Sequence, residues 1–239
     1  MLLARMPFLG KTVPILGIAA LGLAAAHPAA AQTSITAVTY SSATLDTYNA
    51  QFSLGYSFTT SNALDVTALG YLNDGATGAN ATHQVEIYQI TGGTVLAPTA
   101  GTALFGTPIS VTTTAASPAY NTFSYTTLTQ PVLLAANTQY EIVASNNGNG
   151  YGINAQGVFY GGGIAYGTST YSSNQTTPVF DAGAFPDNNI GNFGPNFQAN
   201  IVSPSAAPEP SQFAVLGFVV LGIAGLTLRA GKRQIALQA

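Results

Sequence analysis

The sequence predicts an all-β fold: an antiparallel β-sandwich, jelly-roll-like, set between an N-terminal signal peptide and one C-terminal transmembrane helix. Three observations predict it. The middle of the chain is dominated by Thr, Ser, Asn, Gly, Val, Tyr and Phe, which favour strands and turns over helices. Short runs of period-two hydrophobicity recur there between turn signals, and no sustained helical periodicity precedes Phe213. The two ends differ from the middle, each combining an apolar run with cations.

At the N-terminus, Arg5 and Lys11 form a positive region, and Val13 to Ala26 is an apolar run of fourteen residues. Ala29-Ala30-Ala31 then offers the small-x-small pattern that signal peptidase reads, with Gln32 as the first mature residue. Fourteen residues fall short of the ~20 that a membrane span requires. Residues 1–31 therefore read as a secretory signal peptide.

The body, residues 32–203, is long enough for one domain with a real core. The chain has five Lys plus Arg, and none of them lies between Gln32 and Leu228. Seven of the eight acids lie in the body: Asp46, Asp65, Asp74, Glu86, Glu141, Asp181 and Asp187. No Lys/Arg ion pair can form inside such a body, so apolar burial and backbone hydrogen bonds must hold it. Its negative charge repels phosphate backbones and excludes nucleic acid as a partner. With no Cys there are no disulfides, although export would permit them. Aromatic residues spread through the whole body argue against disorder.

The strand readings follow in order. Ala50 to Phe58 puts Phe52, Leu54, Tyr56 and Phe58 on one face. Leu64 to Leu72 is apolar on both faces toward its end, as a central strand should be. His83 to Ile90 sets Val85 and Ile87 against Glu86. Tyr120 to Thr126 and Thr138 to Ser145 turn Phe123/Tyr125 and Tyr140/Ile142 inward. Asn73-Asp74-Gly75, Gly92-Gly93, Ser117-Pro118 and Asn146-Asn147-Gly148 are the turn signals between these runs. Residues 149–195, rich in Gly, Asn, Tyr and Phe, read as long loops with short strands. Asn196 to Val202 returns to strand character, and 204–212 is a linker with a Pro-Glu-Pro triplet.

The inventory for chemistry is thin, and the sequence reads as that of a non-enzyme without cofactors. His83 is the only His after residue 31, so any Ser-His-Asp triad would depend on it; a loop-capping His is the preferred reading. No HExxH or multi-His cluster offers zinc ligands. The loop from Leu72 to Asn80 suits calcium in its oxygen and glycine content, but Asp74 is its one carboxylate. A plain turn with an Asx bond accounts for those residues equally well. Tyr151, Tyr160, Tyr166 and Tyr171 are candidate sugar contacts, since tyrosine rings stack on sugar faces while Asn and Gln bind hydroxyls. The favoured alternative is that these rings pin Gly-rich loops to the core. Asn80-Ala-Thr82 and Asn174-Gln-Thr176 match the glycosylation sequon.

The C-terminal end explains the remaining cations. Phe213 to Leu228 is sixteen residues without charge, followed by Arg229, Lys232 and Arg233 in the tail 229–239. At ~1.5 Å per residue it spans roughly 24 Å, a little short of a ~30 Å hydrocarbon core. A basic cluster after such a segment holds that end on the cytoplasmic side. Pro208, Glu209, Pro210 and Ser211 stand just before it.

That ordered set (Pro208-Glu209-Pro210-Ser211, the aromatic Phe213, a Leu/Gly/Val/Ala helix and a basic terminus) resembles the PEP-CTERM sorting signal. The resemblance implies recognition and removal by an exosortase, an integral-membrane cysteine protease of exopolysaccharide-producing Gram-negative bacteria. The family usually ends on a contiguous Arg run, whereas here the cluster is interrupted and followed by QIALQA. Residues 50–198 are also similar to a β-rich domain recurrent in PEP-CTERM proteins, through "GYSFTTSNALDVTALGYLNDG", "HQVEIYQITGGTVL", "NTFSYTTLTQPVLLAANTQYEIVAS" and "FGPNFQ". The expectation is a non-catalytic exported surface or matrix protein. Its expected partners are signal peptidase, exosortase, the inner membrane before processing, and exopolysaccharide. The alternative is a secreted carbohydrate-binding module acting in the exopolysaccharide.

Overall fold

Alternating apolar and polar residues, punctuated by Gly and Asn, give strands and little else. A computed structural model describes residues 32–46, 50–73, 81–114, 122–182 and 191–203, in which all regular structure is β. The strands are β1 (Ser34–Thr36), β2 (Val38–Thr39), β3 (Ser42–Asp46), β4 (Phe52–Thr60) and β5 (Leu64–Leu72). There follow β6 (Thr82–Thr94), β7 (Ala97–Ala103), β8 (Ile109–Thr112), β9 (Phe123–Leu134) and β10 (Thr138–Ser145). The last are β11 (Tyr151–Gln156), β12 (Phe159–Tyr160), β13 (Ile164–Ser173) and β14 (Pro195–Ile201).

One sheet has the order β1-β14-β5-β9 and the other β13-β4-β10-β6-β7, with β8 pairing the first residues of β6 beyond the reach of β7. Short ladders join β11 to β3 and β12 to β2, and every pairing is antiparallel. The two large sheets face each other in a sandwich-like arrangement. Phe58 of β4 packs on Phe197 of β14 with ring centroids 5.5 Å apart, and Tyr71 of β5 stacks on His83 of β6 at 3.6 Å. Tyr56, Phe58, Val66, Leu69, Val85, Ile87 and Ile142 fill the space between.

The central strands match the sequence reading: Leu64–Leu72 lies inside its sheet between β14 and β9, and Tyr140 and Ile142 are buried. Pro131 is tolerated because β9 is an edge strand, where a missing N–H costs no ladder bond.

Two expectations need correction. Gly92-Gly93 is not a turn but an irregularity inside β6, where Gly93, at φ 78°, pairs with Pro98; the chain reverses at Val95-Leu96. Glycine signals a bulge as readily as a turn. The tract 149–195 is also more regular than expected. It holds β11, β12 and the ten-residue β13, which pairs with β4 along most of its length. The Gly and Asn that weaken its intrinsic propensity are outweighed by an available strand edge. Ser34–Asp46, for which no strand was expected, supplies the partners of β11 and β12.

No helix among the described residues is long and apolar enough to cross a membrane. The expected signal peptide with Ala29 and Ala31, the Phe213–Leu228 helix, the sorting motif Pro208–Ser211 and the basic cluster all lie outside the described residues.

Candidate functional site

The four candidate sugar-contact tyrosines fall into two separate pairs. Tyr160 of β12 and Tyr166 of β13 stack on each other at 5.8 Å, and Tyr166 also packs on Tyr56 and Phe193. The Tyr166 hydroxyl hydrogen-bonds Ser169 Oγ at 2.7 Å, and Ser169 Oγ donates to the Gly191 carbonyl at 2.7 Å. Burial raises the pKa of Tyr160, and Tyr166 adds to the effect. These two rings continue the core and tie the chain near Gly191 to β13, which is the pinning role.

Tyr151 and Tyr171 stand elsewhere. The Tyr151 hydroxyl donates to Asp46 Oδ2 at 3.1 Å; burial first, then the Asp46 charge, raises its pKa. Tyr171 is 41% exposed and meets Phe52 edge to face at 6.0 Å. Tyr171 also lies within electrostatic reach of Tyr151. Two contacts result: the Tyr151 hydroxyl on the Asp46 carboxylate, and the exposed Tyr171 ring on Phe52. Asp46 could not be recruited from sequence, because the strand that it ends was not foreseen. Phe159, 67% exposed, is the most exposed aromatic ring in the described body.

His83 sits where a structural histidine should. Its Nδ1 lies 2.9 Å from the Ser145 carbonyl and its Nε2 3.0 Å from the Asn149 amide nitrogen. A carbonyl can only accept and an amide NH₂ can only donate, so the proton belongs on Nδ1. The ring thereby caps the turn after β10 while stacking on Tyr71. In the proposed calcium loop Asp74 lies outside the described residues. Asn73 is buried, and its Oδ1 accepts from Thr114 N–H and the Ser124 hydroxyl, both distant in sequence. Among the described residues no three His, Cys, Asp or Glu group together to hold a metal ion. Gln32, the expected first mature residue, is exposed and accepts from Asn200 Nδ2 at 3.2 Å.

The acids hold the largest surprise. Glu86, read as the polar side of β6, is buried; its Oε1 accepts from the N–H groups of Ile87 (2.9 Å) and Phe105 (3.1 Å). Burial raises its pKa, and those N–H groups offset part of the rise. Glu141 of β10 is fully withdrawn from solvent. Burial pushes its pKa up to about 8; the Thr170 hydroxyl and the Asp181 N–H oppose the rise, and the Asp181 charge reinforces it. Glu141 Oε2 accepts a long bond from Asp181 N–H at 3.4 Å, while Oε1 has no partner of regular hydrogen-bond geometry.

No protein-family model matches the chain, and no curated protein proves similar to it.

Proposed function

We propose that the protein is a non-catalytic, exported bacterial surface or extracellular-matrix protein, sorted through its C-terminal segment in the manner of PEP-CTERM proteins. One observation carries this reading. A body without a single Lys or Arg is followed by Pro208-Glu209-Pro210-Ser211, sixteen uncharged residues and then Arg229, Lys232 and Arg233. The basic residues would stop transfer with Phe213–Leu228 inserted as a helix. Pro208 and Pro210 fix φ and lack N–H groups, keeping the segment before the helix extended, a form that a protease can accept. Glu209 would be its exposed recognition charge.

For the body we propose a jelly roll. Taking β1, β4, β5, β6, β7, β9, β10 and β14 in chain order as one to eight, the sheets run one-eight-three-six and two-seven-four-five. That order is the one two Greek keys generate, and β13 adds to its edge.

The mature protein, collected outside the cell and weighed by mass spectrometry, tests sorting. It should lack residues 213–239. A secreted species that retains them refutes tail removal. Neutralising Arg229, Lys232 and Arg233 should let the precursor pass through the membrane uncleaved, and replacing Pro208–Pro210 by alanines should trap it there.

The Asp46–Tyr151 pair beside the exposed Tyr171 favours a second reading, sugar binding within the exopolysaccharide. Retention of the mature protein on isolated exopolysaccharide, lost in Tyr171→Ala, would support it; equal retention of both would not.

A further inference from the structure

The segment after β13, residues 174–182, joins no ladder yet lies flat on the outer face of the six-stranded sheet. Hydrogen bonds and one ring hold it there. Val179 N–H donates to Ser53 Oγ at 2.9 Å, and that hydroxyl donates back to the Val179 carbonyl at 3.2 Å. The Tyr88 hydroxyl donates to the Pro178 carbonyl at 3.2 Å, and Gln175 N–H to the Gln51 carbonyl at 3.3 Å. Phe180 packs on Tyr88 with centroids 5.7 Å apart and occupies the space that a side chain at Gly101 would need. A further polar tie is the long one from Asp181 N–H to Glu141.

Glu141 occupies the middle of the covered face. Facing it are Ser57 from β4, Tyr88 and Glu86 from β6, Thr170 from β13 and Asp181 from the strap. Every titratable group among these is an acid or a phenol. Elsewhere a buried carboxylate is commonly met by Lys or Arg, but residues 32–203 contain neither. An ionised Glu141 under the strap would therefore stand beside the Asp181 charge with no cation, helped by the Thr170 hydroxyl and one long N–H bond. A neutral carboxyl avoids this, and its O–H can donate to Thr170 or Asp181.

We propose that residues 174–182 form a proton-controlled cover, closed over the outer face of the six-stranded sheet while Glu141 keeps its proton and released when that proton leaves. Opening hydrates the carboxylate and parts it from Asp181. It uncovers an acidic, hydroxyl-bearing face made by Ser53, Glu141 and Thr170. The device belongs to the body and does not rest on the sorting reading.

The direction in pH follows from the raised pKa of the closed state. Below the ordinary carboxyl value of 4.5 Glu141 is neutral whether the cover is open or closed. Between 4.5 and about 8 the open form gives up the proton and the closed form retains it. Opening then increases by up to tenfold per pH unit, roughly a few hundredfold from pH 5 to 8. Above about 8 both forms are ionised and the trend stops. Tyr88, pushed up to about 12 chiefly by burial, titrates outside this window.

Hydrogen exchange of the full-length protein tests the cover, read as protection factors so that the intrinsic pH dependence cancels. The Val179 and Asp181 amides should lose roughly a few hundredfold in protection from pH 5 to 8, while Ile142 in β10, which opens only with the whole fold, stays much better protected than they are at every pH. In Glu141→Gln they should stay protected throughout. Flat wild-type protection, a slope that persists in Glu141→Gln, or Ile142 protection no higher than that of the strap would overturn the proposal. Should the variant not fold, the Glu141 carboxyl-carbon shift of the wild type decides. A midpoint far above 4.5 that tracks the loss of Val179 protection supports the cover, and an ordinary midpoint refutes it.

Discussion

Tyr56, Phe58, Tyr140 and Ile142 on the inner face of the six-stranded sheet are hidden from water, and so are Ser53, Ser57, Glu141 and Thr170 on its outer face. The means differ. The inner side chains meet the opposite sheet ring to ring, as Phe58 does with Phe197, and their burial is favourable in itself. The outer side chains are covered by the strap and by the tip of the β6–β7 hairpin, whose Val95 carbonyl accepts from the Ser57 hydroxyl. There burial is tolerated only where a partner is found, and the partners are hydroxyls and backbone groups. The contrast shows how a body without cations can still bury polar surface: it sets Ser, Thr and Asn against backbone groups, and under the proposed cover it leaves Glu141, the most deeply buried of the described acids, to a proton.

The largest effect that separates the two faces should come from the inner one. Phe58→Ala removes a fully buried ring from between the sheets and should cost about 3–5 kcal/mol in urea unfolding. A loss below about 1 kcal/mol would mean that the sheets do not pack as described. Phe180→Ala should cost less, about 1–2 kcal/mol, because that ring is only half-buried. Its effect should be confined to hydrogen-exchange protection of the strap. Equal loss across β4 and β10 would make the strap part of the global core, which blurs the distinction between the faces.

Much of the inner face was legible in the sequence, since alternation in Leu64–Leu72 and Thr138–Ser145 says which side chains turn inward. The outer face was not. Glu86 and Glu141 sit at alternate positions beside Val85, Ile87, Tyr140 and Ile142, which reads as solvent-facing polarity. What buries them comes from Phe105, from the hairpin tip and from a strap some forty residues further along the chain. No local pattern encodes that cover. The strands β11 and β13 were hidden for a related reason: their Gly, Asn and Ser content speaks for loops, and only pairing with β3 and β4 makes them strands. Of the candidate site, the structural role of His83 could be anticipated from its place at the start of a strand. The Asp46–Tyr151 contact could not, because its two strands are distant in sequence.

The pH dependence of unfolding tests the role of the proton most directly. Glu141 has a raised pKa in the folded protein, so the unfolded chain releases its proton first as pH rises. Stability should fall between pH 4.5 and about 8 and then level off. Urea unfolding of the wild type at pH 5 and pH 8 should differ by a few kcal/mol, an order-of-magnitude figure for one proton retained over that interval. In Glu141→Gln most of the difference should vanish, leaving a smaller fall in the same direction from Glu86, whose pKa burial also raises. A wild-type protein equally stable at both values, or a Gln variant with an undiminished fall, would contradict the account.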